Sequence, residues 1–359
     1  MPGTMQPARV ETTDVVVSVV LCTYNRCDML GEALESLLVQ EHAPPHEIIV
    51  VDNNSTDATR EVAQGVIARS AGRMHYVFEG RQGLCHARNA GVRASRGCIV
   101  AFTDDDVRVL PDWIAKIAAA FQRWTWVDFL GGKVLPRWPR TPPEWLTERH
   151  WGPLALLDYG PGVREVNADW APCMVGANLA VRRKVFERVG LFHPAFQHRR
   201  GSCSAVDDHE WQYRAIVAGS VGVYVPEIVI EAAVQPNRLE RAYHRKWHLD
   251  HGRAVVPIEP LEAVLRARRG EQGRPRFARW PLPLPPYLLA RIGTLGLRWI
   301  WHGVRIQWEE AFLVECELRE AIGFARGLLN PDPRPEPAPR LEARRGVEPV
   351  SEARIRASA

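Results

Sequence analysis

Residues 98–106 read Cys-Ile-Val-Ala-Phe-Thr-Asp-Asp-Asp (CIVAFTDDD), an apolar run that passes straight into three adjacent carboxylates. A continuous apolar run without polar alternation is the pattern of a strand buried on both faces. The same pattern stands upstream at Val15–Cys22 (VVVSVVLC) and Ile48–Val51 (IIVV), and a shorter strand is predicted at His75–Phe78. Between these strands, Met29, Ala33, Leu34, Leu37 and Leu38 recur at helical spacing. Ser55 and Asp57 open a second helix as N-cap and first-turn acid, and 84–95 reads as a third. Strands separated by helix-length segments predict right-handed βαβ units and a mainly parallel sheet, hence an α/β fold. Ligands of such sheets bind just beyond the carboxyl ends of the strands. Asn25, Asp52 and Asp104 stand at three such ends and are expected to converge on one crevice.

Outward from this core the texture changes. Residues 136–162 form a Pro- and Trp-rich loop, followed by a predicted strand at 177–182 and helices at 184–189 and 207–218. Residues 239–253 and 285–329 read as helical, and proline at every second position from 331 to 339 predicts a disordered tail. With 359 residues, 46% hydrophobic and 25% charged, the chain has material for one large domain or two smaller ones, which excludes a wholly disordered or fibrous protein. The expected division is a tail over 1–14, a catalytic domain over 15–235, a basic helical extension over 236–329 and a disordered tail over 330–359. The seven cysteines form no C-x-x-C pair, which predicts reduced thiols in a cytoplasmic setting rather than a zinc ribbon or disulfide framework. The first 14 residues lack an apolar signal core, and no stretch reaches the roughly 18 apolar residues expected of a membrane span.

Chemistry concentrates in a few places. Asp104, Asp105 and Asp106 repel one another, and their hard oxygen atoms suit Mg²⁺ or Mn²⁺ completed by substrate phosphates. The bland alternative is a solvated acidic loop ahead of the helix that Pro111 introduces. Asp52 can accept a hydrogen bond from a base or ribose, or simply close an Asx-turn. Asp207-Asp208-His209-Glu210 opens a predicted helix, where acids are either dipole-stabilised caps or supply a general base. The absence of G-x-G-x-x-G after the first strand, of G-K-[ST] and of H-E-x-x-H argues against a dinucleotide oxidoreductase, a P-loop enzyme and a zincin.

Five segments, SVVLCTYNR, IIVVDNNSTDAT, GLCHARNAGVRASRGCIVAFTDDDV, VGANLAVRRKVFERVGLF and VDDHEWQYRAIVAG, resemble the family-2 glycosyltransferases of GT-A fold in order and spacing over roughly residues 15–235. The resemblance implies inverting transfer of a sugar from a nucleotide-sugar donor, with a divalent metal. It implies that Thr23, Tyr24, Asn25 and Arg26 line the nucleotide pocket, Asp52 bonds the donor base and Arg88 faces the phosphates. Asp104 and Asp106 become the outer acids of a D-x-D motif holding ribose and metal, with Asp105 a further donor-side ligand. Asp208 matches the catalytic acid, Asp207 and Glu210 flank it, and Gly176-Ala177-Asn178 matches the segment beside the acceptor. Relatives often carry a metal- or phosphate-binding histidine where this chain has Ala232. The next histidines are His244 and His248. Two rival readings share some of these features. A sugar nucleotidyltransferase would need a glycine-rich, arginine-containing loop where TYNR stands. A catalytically silent glycan- or lipid-binding protein would have no need of the motif acids.

The charge is uneven. Residues 1–235 hold 24 Lys+Arg against 27 Asp+Glu, whereas 236–308 hold 14 against 5. Leu288, Ile292, Leu295 and Trp299 follow one helical stripe and Arg291, Arg298, His302 and Arg305 another. Basic, amphipathic and aromatic, this segment is expected to lie on an anionic membrane, making the protein peripheral at the cytoplasmic face and its acceptor a glycan or lipid-linked saccharide. The alternative is a helix packed on the rest of the protein. Nucleic acid is not expected as a partner, since no binding motif accompanies the charge.

Overall fold

The structure, a computed structural model, describes residues 15–197, 201–271, 284–331 and 338–341. Four parallel strands form its first half: β1 (Val17–Thr23), β2 (His46–Asp52), β3 (Met74–Phe78) and β4 (Ile99–Asp104). The helices α1 (Cys27–Leu38), α2 (Thr59–Ile67) and α3 (Leu84–Ala94) connect them. Every residue of β1 is buried, as its lack of alternation requires. The order β3-β2-β1-β4 reverses direction of growth after β1, so the carboxyl ends of β1 and β4 flank a crevice.

The sheet continues with strands that run the other way or arrive from afar. β5 (Val107–Val109) and α4 (Trp113–Arg123) precede β6 (Phe129–Arg137), and β7 (Arg164–Val166) precedes β8 (Leu179–Arg182). Then come α5 (Arg183–Val189), α6 (Asp207–Val217) and the long β9 (Gly222–Ala233). β8 is antiparallel to β4 and β6, while β6 runs parallel to β9, giving nine strands in all. β5 and β7 pair antiparallel with β9. The α/β sheet, expected to be mainly parallel, is parallel in its first half and mixed in the remainder. Phe102, Phe186, Phe192 and Trp211 lock β4, α5 and α6 together through edge-on and tilted ring contacts.

The C-terminal part is helical: α7 (Arg241–Ala254), α8 (Glu259–Arg268), α9 (Pro286–Val304) and α10 (Trp308–Leu329). The segment read as one helical stretch over 285–329 is broken at Ile306, whose φ of 60° lies in the left-handed region. α10 lies directly on α7. A Cβ on Gly252 would sit 2.0 Å from the Glu320 carbonyl oxygen, and one on Gly323 would sit 2.1 Å from that of Leu249, so only glycine permits this approach. Leu288 and Leu295 of α9 are buried against Val314, Ala321 and Ala325 of α10, with Ile292 partly buried beside them.

Two expectations need correction. The Leu288–Ile292–Leu295 stripe faces α10 and is not an outward face, because α10 supplies the apolar partner that the stripe needs. Within the tail expected to be disordered, residues 338–341 rest on the main core: Leu191 N donates to Pro339 O at 2.7 Å and Leu341 is buried. Residues 1–14, 332–337 and 342–359 lie outside the described residues. All seven cysteines are free thiols. No helix among the described residues is long and apolar enough to cross a membrane.

Candidate active site

A cavity of about 840 Å³ opens beyond the carboxyl ends of β1 and β4. Thr23, Tyr24 and Arg26 reach it from the end of β1, and Asp104, Asp105 and Asp106 from the end of β4. Arg88 comes up from α3, while Asp207 and Asp208 stand in the first turn of α6, where the helix dipole favours their charge. Residues as far apart in the chain as Thr23 and Asp208 thus line one cavity.

The charges are organised around two arginines. Arg26 Nη1 donates to Asp106 Oδ2 at 2.6 Å and to Asp105 Oδ1 at 3.1 Å. Arg88, almost fully buried, donates to Asp207 Oδ2 at 2.6 Å and lies 3.9 Å from Asp104. Burial pushes the Asp105 carboxyl up to about 7, with Arg26 opposing and Asp106 reinforcing the rise. Burial likewise raises Asp207 to about 6, with Arg88 pulling it down and Asp208 pushing it up. Asp104 is raised by burial against the pull of Arg88. Asp208 is held by backbone amides: Gly176 N donates to Oδ2 at 2.9 Å and His209 N to Oδ1 at 2.8 Å. Gln212 fixes that loop to α6, donating to the Met174 and Asp208 carbonyls and accepting from Met174 N.

Other expected site residues lie beside the cavity instead of on its lining. Asn25 adopts a left-handed φ of 49° and accepts from Thr56 N at 2.7 Å, which ties the end of β1 to the turn before α2. Asp52 is buried, with Oδ1 accepting from Ser55 N and Oδ2 from the Tyr76 hydroxyl, so the Asx-turn geometry describes it. Asn53, next to it, does line the cavity and accepts from Gly83 N at 2.7 Å. Asn178 is buried between Trp113, Lys133 and Ile228, to which its side-chain amide is bonded. Glu210 forms a two-pronged pair with Arg214 and does not line the cavity.

His244 and His248 do not reach the acids. His244 is buried among aromatic rings with Nε2 on the Arg238 carbonyl, and His248 meets Glu320 at 3.1 Å. The histidines that line the cavity are His209 and His251, accompanied by Trp151, Tyr159, Tyr243 and Trp247. These escaped sequence reasoning, although His209 sits inside a quoted motif. Nothing local to α7 marks Trp247 or His251 as different from a helix's ordinary inner face.

The acids can be weighed as a metal site. Their oxygen-only donor set fits Mg²⁺ or Mn²⁺ when phosphate oxygens of a bound substrate complete the shell. Among the described residues, no group of three His, Cys, Asp or Glu side chains is placed to hold a metal alone. Asp106, with Asp104 beside it, would hold such an ion, and Ala232 sits opposite Val107 on β9 where a further ligand could have come.

Residues 18–190 match the family described as Glycosyl transferase family 2. The chain is 30% identical over 178 residues to the glucosyl-dolichyl phosphate glucuronosyltransferase of Haloferax volcanii, covering 48% of this chain and 55% of that protein. It is 37% identical over 108 residues to the validoxylamine A glucosyltransferase of Streptomyces hygroscopicus subsp. limoneus, covering 29% of this chain and 23% of that one. The chain thus spans about half the length of the first of these relatives, and less of the second. Among solved structures it is similar to the mannosyltransferase PcManGT from Pyrobaculum calidifontis in complex with GDP-Man and Mn²⁺, at 20% identity and a TM-score of 0.50, over 86% of this chain and 89% of that one. That likeness shows the fold, which is the GT-A fold expected from the motifs.

Proposed function

We propose, from the match of residues 18–190 to the Glycosyl transferase family 2 model, that this chain transfers a sugar from a nucleoside-diphosphate donor to a hydroxyl acceptor with inversion. The observation that carries the reading is a single cavity shared by the Asp104–Asp106 cluster, Arg26, Arg88 and the amide-held Asp208. The donor half lies along Thr23, Tyr24, Arg26 and Asn53, with the diphosphate toward the acids and arginines. Asp208 is the base on the opposite side. It takes the proton of the acceptor hydroxyl, whose oxygen attacks the anomeric carbon as the bond to the diphosphate breaks. One in-line displacement needs no protein nucleophile. The Gly176 and His209 amides aim the Asp208 carboxylate, and Arg88 offsets the negative charge that Asp207 and Asp104 place beneath the site. A divalent ion held by Asp106 and Asp104 would supply charge neutralisation on the departing diphosphate.

The direct test is to incubate the full chain with a panel of nucleotide sugars, with and without Mn²⁺, and to measure release of nucleoside diphosphate. Release from one donor, dependent on the metal, is the expected result. No release or binding with any donor would overturn the reading.

An anionic membrane is the proposed partner of α9. Its outer side exposes Leu297, Trp299, Ile300, Trp301 and Val304, continued by Ile306 and Trp308. Arg298 is also exposed, and Arg305 covers the Trp301 ring at 4.4 Å. Contiguous large apolar side chains rimmed by basic ones suit a headgroup interface.

A further inference from the structure

Past Asp208 the cavity changes character. On the donor side its lining is charged, with Arg26, Arg88 and the Asp104–Asp106 cluster. A second group of lining residues is Trp151, Tyr159, Tyr243 and Trp247 together with His209 and His251, with Trp247 beside both Gly152 and His251. Trp247 and His251 lie one turn apart on α7, and their rings stack with centroids 4.3 Å apart and planes at 11°. The Ser204 hydroxyl meets His251 Nδ1 at 3.1 Å, which holds that ring in place. The His209 ring is set edge-on to Tyr213, with centroids 4.3 Å apart. Burial lowers both histidines, which favours the neutral imidazole in each. The charged groups on this side are few and of mixed sign. Asp158 is paired with Lys133, Glu148 is acidic, and Arg238 rests over the Tyr243 ring.

A chemistry follows from this set. Aromatic faces attract the C–H faces of a ring without selecting for charge, and Trp and Tyr combine a large apolar body with a polar tip. A neutral imidazole offers one donor and one acceptor, which matches a hydroxyl that can do both. A diphosphate or carboxylate would need cations, and on this side the lining offers one, Arg238 over the Tyr243 ring, against the acids Asp158 and Glu148. The surface is therefore complementary to an uncharged polyol ring, presented beside the base.

We propose that the half of the cavity walled by Trp247, Trp151 and His209 is the acceptor subsite, and that it takes an uncharged pyranose, stacked on Trp247 and hydrogen-bonded by His209. The proposal rests on the transferase reading above and adds the acceptor class. It makes α7, which lies outside residues 18–190, the element that selects the acceptor. Trp247 and His209 act on acceptor binding, and the proton still passes to Asp208.

The test uses the full chain and three measurements. The first is saturation-transfer NMR with methyl glucoside, galactoside and mannoside, with methyl glucuronide and glucose 6-phosphate as charged probes. The second is calorimetric binding of UDP and GDP, and the third is transfer kinetics to the pyranoside panel with whichever donor is turned over. At least one neutral pyranoside should bind and react, with kcat/KM at least tenfold above either charged probe. Trp247→Ala should raise acceptor KM about tenfold, the scale of one stacked ring, with kcat changing less. Trp247→Phe should restore KM to within about threefold of wild type, because it restores an aromatic face. His209→Ala should weaken pyranoside binding, and both variants should keep nucleotide affinity, which also shows that they fold. Preference for the charged probes, or an unchanged acceptor KM in Trp247→Ala, would overturn the subsite. Donor turnover without binding of any neutral pyranoside overturns it as well. Failure of wild type to bind any nucleotide or hydrolyse any donor instead overturns the transferase reading, while pyranoside binding by NMR still reports on the pocket itself.

Discussion

Replacing Arg88 by Met removes the cation that holds two carboxylates beneath the cavity. The side chain donates to Asp207 at 2.6 Å, lies 3.9 Å from Asp104 and packs its guanidinium 5.5 Å from the centre of the Phe192 ring. Methionine keeps much of the volume and none of the charge. Breaking one partner out of a buried pair costs about 3–5 kcal/mol, because the other charge is left uncompensated. The group responds by binding a proton. Asp207 already titrates at about 6, with burial raising it and Arg88 restraining it, so loss of Arg88 drives it higher. A carboxyl whose folded value is raised contributes stability below its unfolded value and loses it as pH rises through the folded value. In wild type that loss is complete just above pH 6, whereas in the variant it continues to higher pH. The deficit of Arg88→Met relative to wild type should therefore widen by about 1.4 kcal/mol per pH unit above pH 6. Urea unfolding followed by tryptophan fluorescence at pH 6, 7 and 8 measures this directly. Adding Asp207→Asn should recover most of the loss at pH 8, since no buried charge then lacks a partner at that position. A deficit below about 1 kcal/mol at pH 8, or one that is the same at pH 6 and pH 8, would refute the account of Arg88 as the buried counter-charge.

Asp106→Ala should abolish Mn²⁺-dependent affinity for a nucleoside diphosphate in calorimetry, and the protein should remain folded, because Arg26 keeps its bond to Asp105. Asp208→Asn should lower kcat by about 10²–10⁴-fold with donor affinity retained, since the amide cannot take the acceptor's proton. An Asn variant turning over within about threefold of wild type would dismiss Asp208 as the base. The triple change Arg291→Glu, Arg298→Glu, Arg305→Glu should release the protein from anionic vesicles in flotation at low salt, at roughly 1 kcal/mol per basic residue. Wild type that remains unbound at low salt ends the membrane proposal. His150 and His244 are buried and lowered to about 4 by burial, so the unfolded chain takes up protons between pH 6.5 and 4 while the folded protein does not. Stability should be full above pH 6.5 and fall on acidification toward pH 4, by at most about 3 kcal/mol per histidine. His244→Phe should show a shallower fall between pH 7 and 5 in urea unfolding.

How far the sequence could be read depended on whether the deciding contacts were local. β1, β2 and β4 were legible because a strand buried on both faces writes an unbroken β-branched run. β6 was missed because Gly131, Gly132 and Pro136 interrupt its run, and the register against β9 does shift between Gly131 and Lys133. The Asp104–Asp106 cluster and Asp208 stood out because each follows directly on a strand or opens a helix. Asn178 and Glu210 share segments with true lining residues, yet their side chains turn inward to Trp113 and Arg214, which lie 65 and 4 residues away. Sequence proximity to a site does not tell which way a side chain points. The α9 stripe was legible as apolar, but its partner α10 was not. Periodicity says that a face must be covered and is silent on what covers it.

The crossing of α7 and α10 at Gly252 and Gly323 leaves no layer of side chains between the two backbones. Side chains at an ordinary helix interface can change rotamer and let one helix slide over the other, but carbonyl against Cα offers no such give. α7 and α10 therefore form a single stiff beam. Its α7 member carries Trp247 and His251 into the cavity, and its α10 member bears α9. If α9 docks on a membrane as proposed, this stiff pair would fix where the cavity stands relative to it. An acceptor anchored in that surface would be met at a fixed reach, so the protein would measure distance as well as chemistry.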